Sequence, residues 1–160
     1  MAKGYLRIGD PDYVGPEPLA YRLHADAFLR CAEYAIEGYR IKHQSDPNMM
    51  QNAPIVHLIC HAIEMLLKLA LYKTGSSDRE QRSLAVRHNL SKLKGSCEEA
   101  GCTFSDDVSR MIDSLSPLHQ KHSLRYTAFT DPPVWLPFNP GEMIELSRKL
   151  IGISHPSQSS

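Results

Sequence analysis

Residues 53 to 73, APIVHLICHAIEMLLKLALYK, are apolar almost throughout. A run of that length and character is expected to form a helix buried on most of its circumference, with Asn52 as its cap, Pro54 in its first turn and Gly75 as its stop. Its exceptions are ordered. His57, His61, Glu64 and Lys68 follow one another at steps of four, three and four, which places them along one line of a helix with 3.6 residues per turn. Burying an unpaired carboxylate or ammonium costs several kcal/mol, about the size of a domain's whole stability margin. Glu64 and Lys68 are therefore expected to pair with each other or with groups on a facing helix or second subunit. The spacing also permits a metal site from His57, His61 and Glu64, but it supplies no further ligand, and no metal or other cofactor is expected.

Other segments supply the helices that such a rod packs against. From Leu19 to His43, the residues Leu23, Ala27, Cys31, Tyr34, Ala35 and Gly38 recur at helical spacing and read as the packed face of a first helix. His88 and Asn89 stand where a cap belongs, before Leu90, Leu93 and Cys97 and a stop at Gly101. Ser105 and Asp106 open a fourth helix carrying Val108, Met111, Ile112 and Leu115, expected to stop near Pro117. Trp135 and Phe138 read as packing anchors in the proline-broken stretch DPPVWLPFNPG, and Glu142–Ile153 as a last helix. No strand alternation or internal repeat is present. The reading is all-α: a four- to five-helix bundle with an irregular N-terminal arm and a proline-rich segment before the last helix. Residues 1–155 form one domain and 156–160 a disordered tail.

With 160 residues and 42% of them hydrophobic, such a domain needs no disulfide or metal to hold its core. Cys31, Cys60, Cys97 and Cys102 show neither a CxxC pair nor zinc-ribbon spacing and read as buried free thiols. Lysine plus arginine and aspartate plus glutamate both number 18, so no overall field draws the chain to a polyanion or an anionic membrane. The opening residues lack an apolar signal core, and no uninterrupted apolar run is long enough to span a bilayer. A cytoplasmic protein without membrane contact is expected.

A second cluster, Leu118 to Tyr126 (LHQKHSLRY), follows the expected break at Pro117. His119, His122 and Arg125 supply two imidazoles that exchange protons near neutral pH and a guanidinium that binds phosphate. Metal-free RNA cleavage needs those groups, because a 2′-hydroxyl must lose a proton while charge grows on phosphorus.

The stretch HAIEMLLKLALYKTG, a polar linker, then RHNLSKL and EEAG, and a helix leading into a His/Arg segment together resemble the HEPN superfamily (higher eukaryotes and prokaryotes nucleotide-binding domain). The match spans Leu19 to Tyr126 as a helix pattern and is close over Ile55–Gly75 and Arg87–Gly101. The resemblance implies a small helical bundle, usually a homodimer. It also implies either a metal-independent ribonuclease of a defence or toxin type, with an antitoxin or nucleotidyltransferase partner, or a relative that has lost catalysis. Active members carry Arg-x4–6-His at the start of a late helix, whereas here the order runs His119, His122, Arg125. On this reading His119, His122 and Arg125 are the catalytic candidates, and Glu64, Lys68, His88 and Tyr126 line the groove for an RNA or nucleotide ligand. The alternative is a non-catalytic nucleotide- or protein-binding module acting as a dimer.

Overall fold

The computed structural model describes residues 18–44, 49–75, 88–121 and 136–152. They form five α-helices: α1 (Pro18–His43), α2 (Met49–Lys73), α3 (Leu90–Glu99), α4 (Asp106–Gln120) and α5 (Pro140–Lys149). A 3-10 turn, Leu150–Gly152, extends α5, and no strand occurs among the described residues. The all-α reading holds. The N-terminal arm, the 76–87 linker, Trp135, and His122, Arg125 and Tyr126 lie outside the described residues.

α2 is the axis, touching each of the other four helices. Ile59, Ile63 and Leu67 are sealed in the core on one line of it, and Ile55, Val56, Cys60 and Leu66 widen the buried face. Burial of each large aliphatic side chain contributes about 1.5–3 kcal/mol. By length and composition Asn52–Lys73 is apolar enough to cross a membrane, but most of it is covered by its neighbours, as in the core helix of a soluble domain. α2 also begins one turn earlier than expected, so Asn52 lies within it rather than capping it, and Pro54 sits in its second turn. A proline there removes one backbone bond, which the burial of Ile55, Val56 and Ile59 outweighs.

α1 corrects the sequence reading more deeply. The buried residues are Tyr21, Ala25, Leu29, Ala32 and Ile36, on the side of the helix opposite the expected face. Leu23 is 58% and Tyr34 73% exposed, and Ala27, Cys31, Ala35 and Gly38 are exposed with them. Cys31 is thus not a buried thiol, whereas Cys60, Cys97 and Cys102 are buried and free. Both stripes advance by threes and fours, so periodicity alone does not rank them. The α2 surface accepts the stripe with Leu29 at its centre.

The caps fall where short polar residues allow them. Asn89 accepts from the Lys92 amide at 2.9 Å and opens α3, while Ser105 opens α4. Asn139 and Glu142 form a reciprocal capping box, so α5 starts at Pro140 rather than at Glu142, and its regular turns end at Lys149 rather than at Ile153. Gly75 (φ 88°) and Gly101 (φ 92°) adopt the left-handed conformation that ends α2 and follows α3. Phe138 packs against the core, with the Arg110 guanidinium 5.5 Å from its ring centre.

The expected stop at Pro117 is also overturned. α4 continues to Gln120 with Lys121 as its cap. Pro117 is exposed, so its ring faces solvent, while Val108, Ile112, Leu115 and His119 extend the buried stripe at steps of four, three and four. The lost backbone bond lies in the last turn, and core contacts on the other side hold that turn closed.

A candidate polar centre around Glu64

Three separate parts of the chain bring polar groups to one carboxylate. α2 supplies Glu64, 2% exposed, and Lys68 one turn on, 9% exposed. The residue before the α3 cap supplies His88, and the last turn of α4 supplies His119, 2% exposed. Glu64 Oε1 accepts from Lys68 Nζ at 2.6 Å. Oε2 lies 3.0 Å from His88 Nδ1 and 2.7 Å from His119 Nε2. An ionised carboxylate only accepts, so both imidazoles donate to it through those nitrogens. That fixes their neutral tautomers. The lone pair of His88 is on Nε2 and that of His119 on Nδ1.

Burial alone would raise the Glu64 carboxyl. Hydrogen bonds from His119 and Lys68, the Lys68 charge and the hydrogen bond from His88 together outweigh it and hold the group well below the ordinary carboxylate range. Glu64 is therefore the fixed anion of the centre. Its charge also joins burial in pushing the neighbouring Cys60 thiol far above its usual range, which keeps that sulfur protonated.

A separate polar lattice sets the position of His88. Asn89 donates to Gln120 at 3.2 Å and accepts from the Ser116 hydroxyl at 3.3 Å. The Ser91 amide donates to Ser116 at 3.0 Å, and the Ser91 hydroxyl and Lys94 both reach Asp113. These contacts pin the start of α3 to the end of α4, so His88 and His119 arrive on the same carboxylate. His88 also has φ 58°, a left-handed conformation uncommon outside glycine and costing about 1–3 kcal/mol.

The other half of the α2 stripe adjoins this centre. His57 Nε2 and His61 Nε2 are 3.2 Å apart, and the His61 ring stacks on Phe28 of α1 at 5.4 Å. The third residue with a ring nitrogen close to theirs is His119, not Glu64. Of the residues singled out in the sequence, Glu64, Lys68, His88 and His119 thus converge on one carboxylate, while His122, Arg125 and Tyr126 lie beyond the described residues. The sequence reading did not include His57 and His61 in the groove, although their place on the Glu64–Lys68 line is the signal that includes them. No protein-family model, curated protein or solved structure matches this chain.

Proposed function

We propose that the domain acts on RNA without a metal, using Glu64 and His88 as an oriented acid–base pair. The observation that carries this reading is the buried carboxylate at 3.0 Å from His88 Nδ1. A carboxylate there holds the imidazole in one tautomer and stabilises its protonated form, which is what a general base requires. His88 is only half-buried whereas His119 is sealed, so of the two imidazoles on Glu64 it is the one nearer to solvent. His119 is sealed behind Glu64 and serves as a positioning residue. The backbone strain at His88 fits a side chain held for a task rather than for stability.

In the reaction so supported, His88 takes the proton of a ribose 2′-hydroxyl as that oxygen attacks the adjacent phosphorus. The bond from phosphorus to the 5′-oxygen breaks, the leaving oxygen gains a proton from a second acid, and a cyclic phosphate remains. Lys68 is committed to Glu64, so the cation for the phosphate falls to Arg125 and the acid to His122, both from the sequence reading. The resemblance to HEPN domains supports the same substrate class and a defence or toxin setting. Untagged protein is assayed on single-stranded RNA in EDTA. Cleavage lost in His88→Ala and reduced in His122→Ala and Arg125→Ala is expected. Cleavage indifferent to all three substitutions removes this site from consideration.

A second reading, a binding module that pairs with its own copy, has an observation of its own in the exposed face of α1. Ala27, Cys31, Tyr34, Gly38 and Ile41 advance by four, three, four and three, the spacing of a seam between paired helices. Light scattering is expected to give a dimer that Tyr34→Lys dissociates, and a monomeric wild type ends this reading.

A further inference from the structure

The geometry points to a site for one divalent first-row transition ion of the zinc class, held by His57, His61 and His119. It does not depend on the ribonuclease reading, which uses His88, a residue outside this trio. Three observations converge on it.

The first is the histidine pair on α2. Two nitrogens bound to one tetrahedral ion at 2.0–2.1 Å are about 3.3 Å apart. His57 Nε2 and His61 Nε2 are 3.2 Å apart without any rearrangement. Their rings meet at 82°, edge to face, and Phe28 stacks on His61 to hold that orientation. A four-residue step on a helix puts two imidazoles on one face, and here their Nε2 atoms lie within hydrogen-bond distance of each other, a contact that a bound ion would replace.

The second is His119. It is 2% exposed, its Nε2 is engaged by Glu64, and its Nδ1 is a buried atom with no hydrogen-bond partner among the described residues. A buried ring nitrogen left without a partner costs about 1–3 kcal/mol unless something takes its lone pair. Ring nitrogens of His57, His61 and His119 lie within 4.8 Å of one another. With Nε2 occupied, Nδ1 is the atom His119 has to give.

The third is Glu64 itself. Histidines that bind metals donate their other ring N–H to a carboxylate, which fixes the tautomer and strengthens the ligand. Glu64 Oε2 already accepts from His119 at 2.7 Å, and Lys68 on Oε1 and His88 on Oε2 hold the carboxylate in place. Glu64 is therefore the outer carboxylate of the site and not one of its ligands. Three neutral imidazoles suit Zn2+, and also Co2+, Ni2+ and Cu2+, rather than the oxygen-seeking Mg2+ or Ca2+. The fourth tetrahedral position is left for water or a bound ligand.

The test uses untagged, EDTA-stripped full-length protein titrated with Co2+, which reports coordination by visible absorption, and with Zn2+ by calorimetry and thermal melting. One equivalent per chain, a tetrahedral Co2+ spectrum displaced by Zn2+, and a melting temperature raised by several degrees are expected. His57→Ala and His61→Ala, at half-buried positions, should each weaken Zn2+ binding at least a hundredfold. Glu64→Gln should weaken it about tenfold to a hundredfold. His88→Ala should retain it. No stoichiometric Co2+ or Zn2+ binding, or binding indifferent to both α2 histidines, overturns the site. Cleavage of RNA in EDTA is a separate readout. Its loss in His88→Ala with metal binding intact leaves this site standing, and cleavage without any metal binding leaves only the ribonuclease reading.

Discussion

Replacing Glu64 by alanine removes the one acceptor to which three donors turn, and the structure sets the size of the effect. Lys68, 9% exposed and 2.6 Å from the carboxylate, is left as a charge with its partner gone. Breaking a buried pair from one side costs about 3–5 kcal/mol, and the two donors stranded on His88 and His119 act in the same direction. For a domain with about 5–15 kcal/mol in hand, that is a large fraction of its stability. Urea unfolding at pH 7 measures it. With a slope of about 1–3 kcal/mol per molar, the midpoint should fall by at least 1 M. Glu64→Gln preserves the volume and should lose less, which keeps a folded variant available. Lys68→Met alone leaves Glu64 with two donors and should also cost less than Glu64→Ala. In a cycle of Glu64→Leu, Lys68→Met and the double variant, the double strands no charge, so its loss should be smaller than the sum of those two single losses by about 1–3 kcal/mol. A Glu64→Ala variant within about 0.5 kcal/mol of wild type, or strictly additive losses, refutes the description of Glu64 as the anchor of a buried network.

The remaining predictions probe other parts of the same account. Because the folded Glu64 carboxyl lies below its unfolded value of about 4.3, its contribution is complete above that pH and is lost as pH falls toward the folded value. Wild-type urea midpoints should therefore fall between pH 5 and pH 2.5 more steeply than those of Glu64→Gln, and parallel profiles count against it. Cys31 is exposed whereas burial raises the thiols of Cys60, Cys97 and Cys102, so native protein should titrate one rapid thiol with Ellman's reagent and none in Cys31→Ser. Leu29→Ala should cost about 2–5 kcal/mol, whereas Leu23→Ala, on the exposed face of α1, should change the stability of the monomer by less than about 0.5 kcal/mol. Comparable losses at Leu23 and Leu29 would restore the face first read from the sequence.

The contrast between α1 and α2 explains how far the fold was legible. α2 announces itself because its apolar residues surround the helix and its polar ones form a single line, so only one orientation in a bundle satisfies it. α1 carries two apolar stripes on opposite sides, one through Leu29 and one through Tyr34, and sequence spacing fits both. Only the shape of the α2 surface separates them. Glycine stops and the Asn89 and Ser105 caps were readable because each rests on local backbone chemistry.

The polar centre was legible in its members more than in its arrangement, and Pro117 shows why. Read locally, a proline ends a helix, and everything after it becomes a loop in which histidines are surface groups. Read with the core, Val108, Ile112, Leu115 and His119 keep their four-three-four step through the proline, so His119 belongs to the buried face. Once α4 is allowed its last turn, His119 meets Glu64 and the α2 line acquires its facing group. His57 and His61 then stop being the solvated end of a stripe, because the helix that covers Glu64 also brings a third ring nitrogen to them. Backbone propensity is a preference of a few kcal/mol at one residue, whereas the α4 face buries six side chains. Burial is the stronger of the two, so it decides where the helix ends, and with it which histidines share a site.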